Sequence, residues 1–502
     1  MARGPIKLRY SGIIIFLFRI ISVGTGFFFT LMITRSISPE EYGIFGSLND
    51  ILSYFTLTST IIPFWVTRFV ARDQPGSFKT GLAANTVIGL TSTIIYIFVI
   101  PSLTKVFLIS QEYLSTYLIA SLTVFISHIL AVFESAIYSK RPEKLGLGLF
   151  VFEVNRLAFG YLLLIALKMR LMGALLASIM AFIAQILFYS KYLAHAFKEK
   201  IIRPYILKWL KMSILNIYGI LAGRLLIIAN ILLFIYGGEL SRAYYGASSA
   251  IASIIGYSSF LSSALYPRLL SRADSEDVSI SLKMVLIFAI PMFFGAIVLS
   301  KDLLSILSPA YSVANPVLAI LSLSSLFSVF SSIFEAIISG MEKIDVESQI
   351  PYKRIVKSNL FLLSTLHYVQ AAIVVPSVYA ALRLMKTDAL EATLYFASIN
   401  AITNISLTLV KYLIARRSMS FKIPWRSIGK CFCAALLMTT AISALQFPVR
   451  ITLVMLRVLV GAIIYFLILS AIDKEVRELI GSAKREVGKF LKYRSIGLTY
   501  EP

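Results

Sequence analysis

Apolar runs of about twenty residues recur along the whole chain, and a run of that length is what a helix needs to cross the hydrocarbon core of a bilayer. Fourteen can be drawn, near residues 11–34, 43–68, 81–101, 114–138, 146–167, 171–192, 213–236, 243–266, 282–300, 316–339, 359–382, 391–413, 429–446 and 450–471. Two boundaries are the weakest: the pair near 146–192, split only by Lys168-Met169-Arg170, and the run from 282, interrupted by Pro291. No other feature restricts the fold as tightly, because backbone amides in hydrocarbon must bond inside their own helix or in a closed barrel. Of the 502 residues 58% are hydrophobic, with a mean hydropathy of +0.83. Soluble domains average roughly 45–50% apolar residues, and a single core could not hide this much apolar surface from water. The expectation is an all-α polytopic membrane protein.

The net charge of +23 invites a nucleic-acid reading. The cations, however, sit in short links between apolar runs rather than in one soluble patch, so no nucleic-acid partner is expected. Roughly 35 of the 48 Lys and Arg fall in the N-terminus, the even-numbered links and the C-terminal tail, against roughly nine in the other links. By the positive-inside rule both termini are cytoplasmic. The first run, Ser11 to Thr34, is too long for a signal-peptide core and lacks a small-residue cleavage site, so it reads as an uncleaved span.

The links are short, which leaves no room for a soluble catalytic domain, and no P-loop motif occurs. The chain is expected not to be an enzyme and to hold no cofactor. Cys431 and Cys433 form a C-x-C pair with no further cysteine to complete a metal site, so they read as packing residues and no metal is expected. Asn404-Ile405-Ser406 matches a glycosylation sequon but lies inside a span. Residues 191–212 interleave cations with Tyr, Phe and Trp, as a helix lying in the cytoplasmic interface does. In the tail, Val476, Ile480, Val487 and Leu491 share one helical face among Lys, Arg and Glu, which suits a surface anchor.

Two polar elbows organise the rest. The first span ends at Arg35, and Ser-Ile-Ser-Pro-Glu-Glu-Tyr-Gly follows. Ser38 suits an N-cap, Pro39 a first helical position, and Glu40 and Glu41 the positive end of a helix dipole. The next run leads to Arg68 and Arg72. A similar elbow, with Gly, Glu, Ser and Arg between two apolar runs, comes about 200 residues later and leads to Arg268 and Arg272, each 200 positions beyond its counterpart. Gly46 and Gly246 also match at that offset, and Phe133-Glu134-Ser135-Ala136-Ile137 resembles Phe334-Glu335-Ala336-Ile337-Ile338. Two echoes at nearly one offset point to a duplicated half.

The arginine ending the first span, followed by Ser-Ile-Ser-Pro-Glu-Glu-Tyr-Gly, resembles the signature of polysaccharide (O-antigen-type) flippases, part of the multidrug/oligosaccharidyl-lipid/polysaccharide (MOP) exporter superfamily. Ala243-Tyr244-Tyr245-Gly246-Ala247 is similar to that family's Gly-x-Tyr-x-Ala segment, with Ala243 in place of Gly and Asn230 near where an acid is often found. The resemblance implies two six-helix halves plus two C-terminal helices. On this chain that gives 1–192 as the first half, 193–212 as an interfacial linker, 213–415 as the second half, 416–472 as the added pair and 473–502 as the tail. It also implies a job: flipping a lipid-(di)phosphate-linked oligosaccharide from the cytoplasmic to the outer leaflet of the plasma membrane by alternating access. The implied partners are that lipid-linked sugar, membrane lipids, and glycosyltransferases or a polymerase of the same pathway. The alternative is a cation-coupled multidrug exporter of the same superfamily.

Charges inside spans are costly and mark sites. Arg19 and Arg224 each lie in the first span of a half and have no acid nearby in sequence. Guanidinium suits bidentate contact with phosphate, so these two are expected to hold the diphosphate, with Arg156 third. For Arg156 a helix-internal pair with Glu153, three residues away, is the competing account, and Arg19 could instead snorkel to head groups. Asp50, Glu134 and Glu335 are candidates for a coupling proton or cation. Glu134 and Glu335, toward the cytoplasmic ends of their spans, read equally as plain interfacial carboxylates balancing Lys140 and Lys343, so Asp50, nearer the outer third beside Asn49, is the better of the three. Lone His128 and His367 read as packed, hydrogen-bonded residues. Arg68, Arg72, Arg268 and Arg272 mark cytoplasmic span ends and are expected to guide an anionic head group inward, although the positive-inside rule alone accounts for them.

Overall fold

The computed structural model describes residues 22, 24–262, 265, 266, 269, 274–341, 358–384, 388–445, 447–474, 476 and 477. All of the regular structure there is helical. Residues 24–36 form α1, followed by α2 (Pro39–Phe55), α3 (Ile61–Ala71), α4 (Ser77–Val106), α5 (Leu114–Ile119), α6 (Ser121–Lys140), α7 (Pro142–Gly160) and α8 (Arg170–Leu193). The link helix is α9 (Arg203–Met212), and α10 (Ile214–Leu225), α11 (Ile227–Gly256), α12 (Ser275–Val298) and α13 (Ser300–Leu307) come next. The remainder are α14 (Asn315–Gly340), α15 (Asn359–Leu384), α16 (Ala389–Ser418), α17 (Trp425–Ala444) and α18 (Ile451–Ile472).

Among the described residues, eleven helical segments are long and apolar enough to cross a membrane. The chain is therefore a multi-pass membrane protein. Each of the eleven covers one or two of the fourteen runs. The first half of the first run lies outside the described residues, and the rest of it forms α1. The second is interrupted by a 3-10 turn at Leu57–Thr60, which divides α2 from α3. The seventh and eighth merge into Ile217–Ser262, broken at Gly238, whose φ of +84° and ψ of 174° belong to glycine backbone. That break falls in the second elbow. Pro291 does not end its helix, and α12 continues through it to Val298. Proline is tolerated in buried membrane helices where neighbours satisfy the freed carbonyl. The weak boundary at Lys168-Met169-Arg170 is real: a π-helical turn over Tyr161–Ala166 ends α7's span, and Lys168 and Arg170 take positive φ of 52° and 47°.

The chain divides into two compact units, 1–251 with 307–321 and 343–407, and 252–306 with 322–342 and 408–502. The first unit packs α1, α2, α4, α5, α8 and the start of α11 around Leu48, Tyr96, Tyr117 and Ala174. A second cluster joins α3, α4, α6, α8 and α9 around Trp65, Phe133, Tyr189 and Trp209. The link helix α9 is thus anchored by one face. Trp209 is fully buried against Phe69, and Trp65 Nε1 donates to Ser213 Oγ at 2.8 Å, while Leu207 and Leu210 point outward. In the second unit α12 packs on α17 and α18, and Tyr465 Oη donates to the carbonyl of Ile287 at 2.9 Å. Asp473, beyond the end of α18, accepts from Lys430 Nζ at 3.2 Å and lies 3.5 Å from Lys283 Nζ. Cys431 is buried, as a packing residue should be, whereas Cys433 is exposed on the outer face of α17. Of the predicted tail face only Val476 is described; Ile480, Val487 and Leu491 lie outside the described residues.

Candidate functional site

The first elbow folds as its sequence predicts. Ser38 is the N-cap of α2, its hydroxyl accepts from the Glu41 amide at 3.2 Å, and Glu41 Oε2 accepts from the Ser38 amide at 3.1 Å. This reciprocal box satisfies two amides that the first turn would otherwise leave free. Glu41 is almost fully buried and accepts a further bond from Arg170 Nε at 3.2 Å, so α8 is tied to the elbow.

The two elbows meet. At Gly43 any side chain would overlap the carbonyl of Glu239, so α2 and α11 approach backbone to backbone. The two glycines that stand 200 positions apart, Gly46 and Gly246, then interlock with the opposite elbow. A Cβ on Gly46 would lie 2.9 Å from the Arg242 guanidinium, and a Cβ on Gly246 would lie 3.1 Å from the Tyr42 ring. Tyr42 and Arg242 are themselves 200 positions apart, so each elbow lays a large side chain over the other elbow's glycine. The symmetry ends with charge. Arg242 Nε donates to Asp50 Oδ2 at 2.8 Å, Asn230 Nδ2 donates to Asp50 Oδ1 at 3.3 Å, and the guanidinium lies 5.6 Å from the Tyr245 ring centre. Asp50 and Arg242 are each 8% exposed. A charge so buried is tolerated because its partner is beside it, and losing either partner strands the other.

Arg224 lies half-buried in the last turn of α10, and its carbonyl accepts from Tyr54 Oη at 2.9 Å. Tyr54 is one turn beyond Asp50 on α2, so α10 and α11 bring two arginines to the same face of that helix. Among the described residues no carboxylate lies within 4.0 Å of the Arg224 side chain. Arg156 is committed elsewhere: its Nη2 donates to Glu153 Oε2 at 2.6 Å, and the guanidinium lies over the rings of Phe29 and Phe152 at 4.7 and 4.9 Å. Ser22 Oγ donates to Glu153 Oε1 at 2.8 Å, which binds α7 to the first span. Arg19, Arg268 and Arg272 lie outside the described residues. Arg68 is exposed at the end of α3 with its guanidinium 4.1 Å from the Phe64 ring centre, and Arg72 is exposed one turn on.

The other two carboxylates have different company. Glu335 Oε1 accepts from Lys411 Nζ at 2.6 Å and from Ser331 Oγ at 3.2 Å. Glu134 Oε1 accepts from the neutral amide of Gln185 at 2.9 Å. His128 is fully buried, with Nε2 2.9 Å from Thr58 Oγ1 and Nδ1 2.8 Å from the Val124 carbonyl, which suits a packed histidine. The described residues hold no group of three His, Cys, Asp or Glu that could bind a metal.

No family profile matches the sequence, and no curated protein matches it. Solved structures do. Lipid II flippase MurJ, in an inward closed conformation, superposes with a TM-score of 0.65 at 16% identity over 93% of this chain and 100% of its own. A multidrug resistance MATE family transporter of the MOP superfamily, inward-facing, gives 0.59 at 13% identity over 79% of this chain and 95% of its own. An outward-facing MATE structure gives 0.53 at 12% over 81% and 95%. This chain has the MOP fold.

Two residues at the heart of these clusters, Arg242 and Lys411, were not singled out in the sequence. Arg242 sits in the second elbow, where a polar stretch between spans suggests a water-facing turn, yet it is buried. The usable signal was the register: 200 positions before it stands Tyr42, a large residue of the first elbow beside Gly46. Lys411 precedes Arg416 and Arg417 at the end of α16 and reads as part of that cationic end.

Proposed function

We propose that this protein is a transporter that flips a lipid-(di)phosphate-linked oligosaccharide across the plasma membrane, with both termini in the cytoplasm. The observation that carries the reading is end-to-end coverage: the likeness to a lipid II flippase spans 93% of the chain, against 79% for the inward-facing MATE structure. The arginine pattern supports it. Arg224 stands without a carboxylate partner among the described residues, as a group that must receive a phosphate should. Arg19, at the corresponding place in the first half, is assigned the same role, and Arg156, already bound to Glu153, a subsidiary one. In alternating access the Asp50–Arg242 pair would hold the elbow end closed and part when that end opens. Arg68, Arg72, Arg268 and Arg272 would gather the anionic head group at the cytoplasmic ends, and glycosyltransferases or a polymerase would supply or use the lipid-linked sugar.

The test is flipping of a short-chain fluorescent lipid-diphosphate sugar in proteoliposomes. Wild type is expected to flip it, and Arg19→Ala and Arg224→Ala to lose at least tenfold in rate, which is about 1.4 kcal/mol of transition-state stabilisation. Wild-type protein that leaves the lipid unflipped and extrudes an organic cation would replace this reading with the multidrug-exporter one.

A further inference from the structure

The duplication allows one comparison that a single copy could not. Glu134 lies on α6, the fourth predicted span, and bonds across to Gln185 on α8, the sixth. Glu335 lies on α14, the tenth span, and bonds across to Lys411 on α16, the twelfth. These are the same pair of helices in each half, and each half builds a carboxylate contact between them. In the second copy the partner is an ammonium, buried to 4% exposure and shared with Ser331 Oγ at 2.9 Å. In the first copy the partner is an amide.

The difference is electrostatic. A carboxylate held in a membrane protein needs either a cation or a proton, because charge without compensation in a low-dielectric site is expensive. Glu335 has the cation. Around Glu134 the hydrogen-bond chain is neutral: Gln185 Nε2 donates to Glu134 Oε1 and lies 3.2 Å from Tyr189 Oη, which donates to the Leu145 carbonyl at 3.2 Å. Gln185 and Tyr189 are fully buried, and Gly148 leaves the room in which the Tyr189 ring sits. Glu134 itself is half-buried, and the Gln185 bond to Oε1 is the one hydrogen bond to its carboxylate among the described residues.

Charged groups on the surrounding helices are engaged elsewhere. On α6 itself Lys140 pairs with Asp73. On α7 Lys144 lies over the Tyr192 ring and Glu153 holds Arg156, while on α3 Arg68 covers Phe64. On α2 Asp50 holds Arg242. On α8 Arg170 holds Glu41, and Arg141, just beyond α6, lies over the Tyr192 ring. Lys79 and Lys105 on α4, Arg72 at the end of α3 and Lys191 in the last turn of α8 likewise form no ion pair with Glu134 among the described residues.

We propose that Glu134 is a proton-binding site, made by placing Gln185 where the second half places Lys411, and that its protonation is the coupled step of transport. The proton adds to Glu134 Oε2 while Oε1 keeps the Gln185 bond, so the carboxylate becomes a neutral carboxylic acid without rearranging the chain. Neutral Glu134 favours a tight α6–α8 contact, and ionised Glu134 favours the state in which water reaches it. The coupling role rests on the transporter reading above; the proton site itself does not.

Infrared difference spectra of the full chain in liposomes, titrated between pH 5 and 9, read the carboxylic acid carbonyl directly and need no substrate. The expected result is a titrating band that Glu134→Gln removes, Glu134→Asp restores, and Glu335→Gln leaves in place. Flipping driven by an imposed pH gradient is measured in the same liposomes, and Glu134→Gln is expected to lose the gradient dependence. A band that survives Glu134→Gln, or one that answers to sodium at fixed pH rather than to protons, overturns the site. A band that behaves as expected beside transport indifferent to the gradient overturns the coupling and leaves the site.

Discussion

Asp50 shows what a single partner changes. In the sequence it is an unaccompanied acid inside a span, and that isolation makes it a coupling candidate; in the fold Arg242 and Asn230 surround it. Removing one member of a buried pair typically costs about 3–5 kcal/mol, because the survivor is left charged and unpaired. Asp50→Asn and Arg242→Gln are each expected to lower the melting temperature of the purified protein. The exchange Asp50→Arg with Arg242→Asp is expected to recover part of that loss. Thermal unfolding of the three variants in detergent checks it, and an exchange no better than the singles would deny the pair its role. Gly43 makes the complementary point about space. With the Glu239 carbonyl against it, Gly43→Ala must push α2 and α11 apart, although nothing in the sequence near Gly43 marks it as a contact.

Among the elements, α18 and the start of the tail are fastened by Asp473. Burial pushes its carboxyl up, but the hydrogen bond from Lys430 and the charge of Lys283 outweigh this and hold it below its ordinary value. A carboxyl with a lowered folded value binds protons more weakly in the native state than in the unfolded one. Its contribution is therefore complete above the unfolded value and is lost as the pH falls through the folded one. The second unit should lose the clasp only in acid, below the usual carboxylate range near 4. Asp473→Asn is expected to be less stable than wild type by about 1–3 kcal/mol at neutral pH and to converge with it in acid. Melting curves across that range measure the difference. Element boundaries were legible where local chemistry sets them. Ser38 and Glu41 announce the start of α2, and Lys168-Met169-Arg170 marks the turn before α8. The 3-10 break at Leu57–Thr60 was not legible, since Thr and Ser there fit an apolar run and the break is fixed by neighbours: Thr58 bonds to His128, and the Ser59 carbonyl accepts from Asn85.

At the scale of the whole molecule the cation bias makes a topology prediction. With the native Cys431 and Cys433 replaced by serine, Cys introduced at Glu40 or Lys168 should react with a membrane-impermeant reagent from outside intact cells. Cys at Lys200 should react only after permeabilisation, and labelling in the reverse sense would invert the orientation. By itself the sequence determined the class, an all-α multi-pass membrane protein, and set the expectations of fourteen passes, of their orientation and of a duplicated half. Each depends on properties summed along the chain: apolar length against bilayer thickness, cations counted by side, and matches at a constant offset. Only the tertiary structure decided which charges are free. The sequence already sets Arg156 apart from Arg224 by placing Glu153 three residues before it, but Glu134 and Glu335 look alike there. The rest of their company comes from helices tens or hundreds of residues away: Ser22 on the Glu153 that holds Arg156, Tyr54 beside Arg224, Gln185 against Glu134 and Lys411 against Glu335. A charge inside a membrane takes its meaning from what lies within a few ångströms of it, and packing, not local pattern, sets that distance.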